Sequence, residues 1–128
     1  MNTVLVVEPG RAPYVKEIDS GLKSLQTEVG GWIEAVYPFE EEVALICNEE
    51  GKLCGLPLNR ALRGDYGGVY DIIAGTFLIV GLGEEDFCSL SDEYIKKFSD
   101  RFKAPEKFAE INGAIVVIRM ESEDGESV

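Results

Sequence analysis

The sequence predicts an α+β fold: a mostly antiparallel or mixed β-sheet with two main helices packed on it. Three observations lead there. Short β-branched runs outnumber helical stripes, turn signals in the middle of the chain join those runs as hairpins, and only two stretches repeat apolar residues at helical spacing. A doubly wound parallel sheet would need more crossovers than the chain supplies. With 128 residues, 45 % of them hydrophobic, the chain suits a single α+β domain over residues 1–120 with a real core. Residues 121–128 are acidic and polar enough to be expected as a disordered tail.

The elements follow in order. Thr3 to Val7 is a β-branched run closed by Glu8-Pro9-Gly10, hence a strand. Pro13 then fits a first helical turn, and Tyr14, Ile18, Leu22, Leu25 and Val29 form an apolar stripe that Gly30-Gly31 stops, which predicts one long helix. Trp32 to Phe39 and Val43 to Cys47 read as a hairpin around Glu40-Glu41-Glu42, followed by a turn at Asn48 to Gly51 and a short strand near Leu53. Leu58, Ala61 and Leu62 suggest one helical turn. Asp71 to Gly81 divides at Gly75 into a lead-in at Ile72 and Ile73 and a central strand from Thr76 to Val80. Ser89 with Asp92 approximates a capping box for a second helix, whose stripe is Leu90, Tyr94, Phe98 and Phe102. Lys96, Lys97, Arg101 and Lys103 load its second half with positive charge, as the helix dipole prefers. Pro105 ends it, Asn112-Gly113 turns the chain, and Ala114 to Ile118 forms the last strand.

Composition narrows the chemistry. Histidine is absent, which removes the usual general base, the commonest zinc ligand and every triad built on Ser-His or Cys-His. Cys47, Cys54 and Cys88 show neither zinc spacing nor the density of a disulfide scaffold and read as small apolar fillers in a reducing compartment. No apolar run is long enough to span a membrane and no secretory signal is visible, so a cytoplasmic location is expected, that of the host cell if the chain is phage-encoded. Lone Gly-rich pairs such as Gly67-Gly68 match no phosphate-loop pattern and read as turns. The glutamates at 40–42 read as a solvated turn, since neighbouring strand residues face opposite ways. No enzyme activity, cofactor or metal is expected. An enzyme would have to be built on carboxylates and arginines, for instance a nucleotide hydrolase with a metal held by Asp65 and Asp71.

Three stretches carry a family likeness together: Leu25 to Glu34, Asn48 to Arg60 and Asp71 to Gly81. They resemble the bacterial and phage family catalogued as domain of unknown function 3846, from about Val4 to Phe98. The resemblance implies a small protein carried by phages, plasmids and conjugative elements, with no activity to transfer. Asn59 and Arg60 match its motif without an assigned role. Accessory proteins of mobile elements often act against host defence, and that association sets the expectation here.

The candidate site is an acid-free window. The chain holds 24 Asp+Glu against 12 Lys+Arg, a net charge of −12, yet Gly51 to Gly64 has no acid and carries Lys52, Arg60 and Arg63. On a helical turn Arg60 and Arg63 would share a face and clamp a phosphate or carboxylate. Asn59 adjoins them, and Tyr66 and Tyr70 would stack on a base. The ligand-binding set is therefore Asn59, Arg60, Arg63, Tyr66 and Tyr70, and the ligand an anionic nucleotide-type small molecule. The competing structural reading pairs Arg60 with Asp65 or Asp71, makes Asn59 a turn cap and lays the tyrosines over the sheet. A different function class uses the acidity itself: a protein-protein inhibitor or DNA mimic that blocks a host defence protein through Glu40–Glu42 and Glu84–Asp86. Direct nucleic-acid binding is not expected at this charge. An open sheet edge and the aromatic residues Trp32, Tyr37 and Phe39 predict a homo-oligomer joined through the hairpin from about Trp32 to Cys47.

Overall fold

The apolar runs of the sequence find one another across the chain. In a computed structural model, which describes residues 1–119, β7 (Phe77–Leu82) lies between β1 (Asn2–Val7) and β4 (Val43–Asn48). Outside these run β2 (Tyr14–Ile18), next to β1, and β3 (Ile33–Val36), next to β4. Every pairing is antiparallel. The two-residue β8 (Phe87–Cys88) continues the line of β1 along β7. Thr3 joins these two pieces, because its N–H donates to Ser89 Oγ at 2.8 Å and its carbonyl accepts from the Leu90 N–H at 2.8 Å.

Strand alternation splits the core in two. Val4, Val6, Ala44, Ile46, Leu78 and Val80 face the side covered by Leu25 and Val29 of α1 (Leu22–Val29). Leu5, Val7, Leu45, Cys47, Phe77 and Ile79 face the other side. There they meet Phe98 of α2 (Asp92–Arg101), its cap residue Phe102, and Leu62 and Ile73 of a separate ribbon, β5 (Leu58–Arg63) with β6 (Val69–Ala74). Burial on both faces explains why the central strands read as continuous apolar runs. A second ribbon, β9 (Glu106–Ile111) with β10 (Ala114–Arg119), turns at Asn112-Gly113, where both residues hold positive φ (54 and 84) as a tight two-residue hairpin requires. Two helices on mostly antiparallel sheets make the chain α+β. The expected tail lies outside the described residues.

Several elements differ from expectation. The long first helix is two elements: Tyr14 to Ile18 pairs along the edge of β1, and the helix begins only at Leu22, after Gly21 at φ 111. Ladder bonds to β1 outweigh a helical spacing that only Ile18 of that segment honours by burial. The expected helical turn at Leu58 to Leu62 is strand β5, because β6 is available to pair with it. Leu53, expected in a strand, sits exposed in a turn. Ser91, and not Ser89, caps α2, accepting the Tyr94 N–H at 3.2 Å. Gly75 does separate two strands, β6 and β7. Among the described residues no helix is long and apolar enough to cross a membrane.

Candidate anion-binding site

Among the described residues Asn59 and Arg60 are the most deeply buried polar side chains, at 0 % and 1 % exposure. Their position follows from β5, which packs its middle residues inward. The Asn59 amide donates to the carbonyls of Val7 (2.9 Å) and Gly75 (2.8 Å), and its Oδ1 accepts from Arg60 Nη1 at 2.8 Å. Arg60 Nε and Nη2 both donate to the Phe102 carbonyl (3.2 and 2.8 Å), and Nη2 also reaches the Arg11 carbonyl at 2.6 Å. Nη1 makes a further, longer bond of 3.4 Å to the Asn59 carbonyl. Phe102 is the C-cap of α2, so the guanidinium sits at the negative end of that helix dipole.

Asn59 and Arg60 thus spend their donors on main-chain carbonyls and on each other, and so tie distant segments of the chain together. The expected partners also differ: Arg60 pairs with neither Asp65 nor Asp71, and Asp71 instead holds Lys52 at 2.6 Å. Burial pushes the Arg60 guanidinium below its usual pKa range; Glu106 holds it up and Arg119 adds to the push. No carboxylate of the described residues touches it.

Beside Arg60 opens a cavity of about 120 Å³, lined by Arg60, Arg63, Arg101, Phe102, Glu106 and Arg119 among others. Glu106 is the carboxylate of this lining, and both its oxygens are engaged. Oε1 accepts the Ala61 N–H at 2.7 Å, and Oε2 accepts from Arg63 Nη1 at 2.9 Å, with Arg119 Nε 3.6 Å away. Arg101 lies over the Phe39 ring at 4.8 Å. Four arginines therefore line one cavity with a single carboxylate, which Arg63 and Arg119 approach directly, in a chain of net charge −12. Such a site favours a phosphate, sulfate or carboxylate group, which arginine grips through paired N–H donors.

Arg63 is the predicted residue that reaches this cavity with an accessible side chain, 28 % exposed. Tyr66, in the β5–β6 turn, and Tyr70, at the start of β6, are both exposed and do not line it. Sequence reasoning missed Arg101, Glu106 and Arg119. In the sequence Arg101 is fully explained by the helix dipole, and Glu106 meets Arg63 across 43 positions, a separation that leaves no local signal. Among the described residues no cluster of three or more His, Cys, Asp or Glu side chains is placed to hold a metal ion.

The family model described as "Domain of unknown function (DUF3846)" matches residues 1–103. No curated protein and no solved structure matches the chain. The chain belongs to the DUF3846 family.

Proposed function

From membership of a family defined without an activity, we propose that this is a non-catalytic accessory protein of a phage or other mobile element, acting in the host cytoplasm, that counteracts host defence by binding an anionic, nucleotide-type small molecule. The observation that carries the reading is the arginine cavity, an excess of guanidinium charge on a strongly acidic chain. The cavity is small, about 120 Å³. That suits one phosphate-sized group and falls short of the about 300 Å³ of a pocket that encloses a whole small molecule. Arg63 and Arg119 grip the charged group. Arg60, locked in place, adds a fixed positive field, and the rest of the ligand stays outside, its base expected to stack on Tyr66 or Tyr70. Isothermal titration against inorganic phosphate and against linear and cyclic nucleotides tests this. Sub-millimolar binding is expected for at least one nucleotide, weakened about tenfold or more by Arg63→Ala and by Arg119→Ala. Absence of binding below the millimolar range, or binding indifferent to both substitutions, overturns it.

A second reading, an acidic inhibitor or DNA mimic that blocks a host defence protein, draws support from the exposure of Glu40, Glu42 and Glu84 to Asp86. Glu41 is already taken by an ion pair with Lys97. A charge-driven complex recovered from host lysate at low salt and lost at high salt favours this reading; no partner at low salt counts against it.

A further inference from the structure

The free edges of the large sheet are guarded. β2 carries Lys16 and Glu17 after Pro13, and β3 carries Glu34, the kind of residues that discourage edge pairing. β10 is different: Ala114 to Ile118 is uncharged, β-branched after its first residue, and paired on one side only among the described residues, with β9. The register of that ribbon places Ala109, Ile111, Ala114, Val116 and Ile118 on one face, with exposed Lys107 opposite Ile118 at its end. Ile111 is 54 % exposed, Val116 38 % and Ile118 50 %, and Ile115 on the opposite face is 55 % exposed. The opposite face is held to β5 at one end through buried Glu106 and is half-buried at Phe108 and Val117, but the face of Ile111, Val116 and Ile118 is open, and a two-stranded ribbon gains little stability by itself.

We propose that the outer edge of β10 pairs with β10 of a second copy of this chain, antiparallel about Val117, joining the two ribbons into one four-stranded sheet. Ladder parity supports this register. The two-residue turn makes Ile111 and Ala114 a hydrogen-bonded pair, so the N–H and C=O groups of Ile115, Val117 and Arg119 point outward. In an isologous pair centred on Val117, each outward group of Ile115 meets Arg119 of the second copy, and Val117 meets Val117. Charge agrees. Arg119 at one end of β10 then lies beside Ile115 of the second copy, whose neighbour across the ribbon is Glu110, whereas a parallel arrangement would set Arg119 against Arg119. Residues 120–128 offer this largely apolar face little to bury: they bring Glu121, Glu123, Asp124 and Glu126, with Met120 and Val128 as their large apolar side chains.

Sedimentation of the full chain at tens of micromolar is expected to give twice the 14.1 kDa mass of one copy. Ile115→Pro, which removes an outward N–H, and Val116→Lys, on the exposed face, are each expected to give the single-copy mass with an unchanged circular dichroism spectrum. The register has its own test that does not depend on those variants. Directly opposed, hydrogen-bonded Cα atoms lie about 5.5 Å apart, within disulfide range, so Val117→Cys in a Cys54→Ser background is expected to cross-link two copies on mild oxidation. The substituted residues do not line the arginine cavity; of the paired strand only Arg119 does, and it is left unchanged in every variant, so this proposal and the ligand reading fail separately. A single-copy mass for the unmodified chain overturns the proposal. So does a dimer that Trp32→Ala dissolves while the β10 variants do not, or a single-copy mass that doubles only when residues 121–128 are deleted.

Discussion

Replacing Arg60 with methionine keeps much of its volume but leaves the carbonyls of Phe102 and Arg11 and the Oδ1 of Asn59 without their donor. Leaving buried acceptors without a donor costs about 1 to 3 kcal/mol for each group, a large part of the about 5 to 15 kcal/mol that holds an ordinary domain. Urea denaturation followed by circular dichroism checks it. Arg60→Lys is expected to restore little, because an ammonium cannot reproduce the planar fork that serves Phe102, Arg11 and Asn59 together. Cys47 supplies a pH-dependent test. Burial, and to a lesser degree Glu34 and Asp71, pushes its thiol up from 9.0 to about 11. The folded chain therefore keeps a proton that the unfolded chain loses first. The resulting stabilisation is complete below pH 9 and disappears as pH rises through about 11. Cys47→Val is expected to flatten that part of the stability profile. At pH 8 a thiol reagent is expected to modify exposed Cys54 quickly and to reach Cys47 only on unfolding. The importance of Asn59 and Arg60 was legible in their acid-free setting, but their role was not, since the carbonyls they serve belong to residues 7, 11, 75 and 102.

At the scale of elements, close packing decides what local pattern leaves open. Gly81 looks like a turn residue in the sequence, yet it sits inside β7, where an added Cβ would lie 2.4 Å from the Ser89 carbonyl and 3.0 Å from Cys88 Sγ. Gly81→Ala is therefore expected to push β8 away from β7 at a cost of about 1 to 3 kcal/mol, visible as faster amide exchange of the Leu90 N–H that bonds Thr3. Ser91→Ala removes the cap of α2 and is expected to cost about 1 kcal/mol, read from a thermal melt. The second helix was readable because its stripe, its acidic first turn and its basic end agree. The first was half misread: Tyr14 and Ile18 fit a helical spacing by coincidence, and nothing local announces that β1 has a free edge to fill. β9 went unseen for a related reason. Its mixed Glu-Lys-Phe-Ala-Glu-Ile pattern becomes a strand only against β10.

The whole molecule is a strongly negative body that carries a positive notch at the arginine cavity. Beyond about 8 to 10 Å the two are felt differently, because salt screens the distant field more than the contact. For a phosphate ligand, the association rate is therefore expected to rise between 0.02 and 0.15 M salt, as the repulsion from a net charge of −12 is screened. Stopped-flow binding measures this, and a rate that falls over that range would mean the ligand approaches a positive field and the notch has been misjudged. The same self-repulsion predicts that the unliganded protein melts at a higher temperature in added sodium chloride.

The bonds of Asn59 and Arg60 span 52, 49 and 42 positions of chain. Closing loops of that length is entropically costly until neighbouring elements are already in place, so these bonds belong to the late part of folding. Their loss should then leave the refolding rate nearly unchanged and appear almost wholly as faster unfolding. The Arg60 knot acts in time as well as in space: it sets how long a folded molecule lasts rather than how quickly one is made.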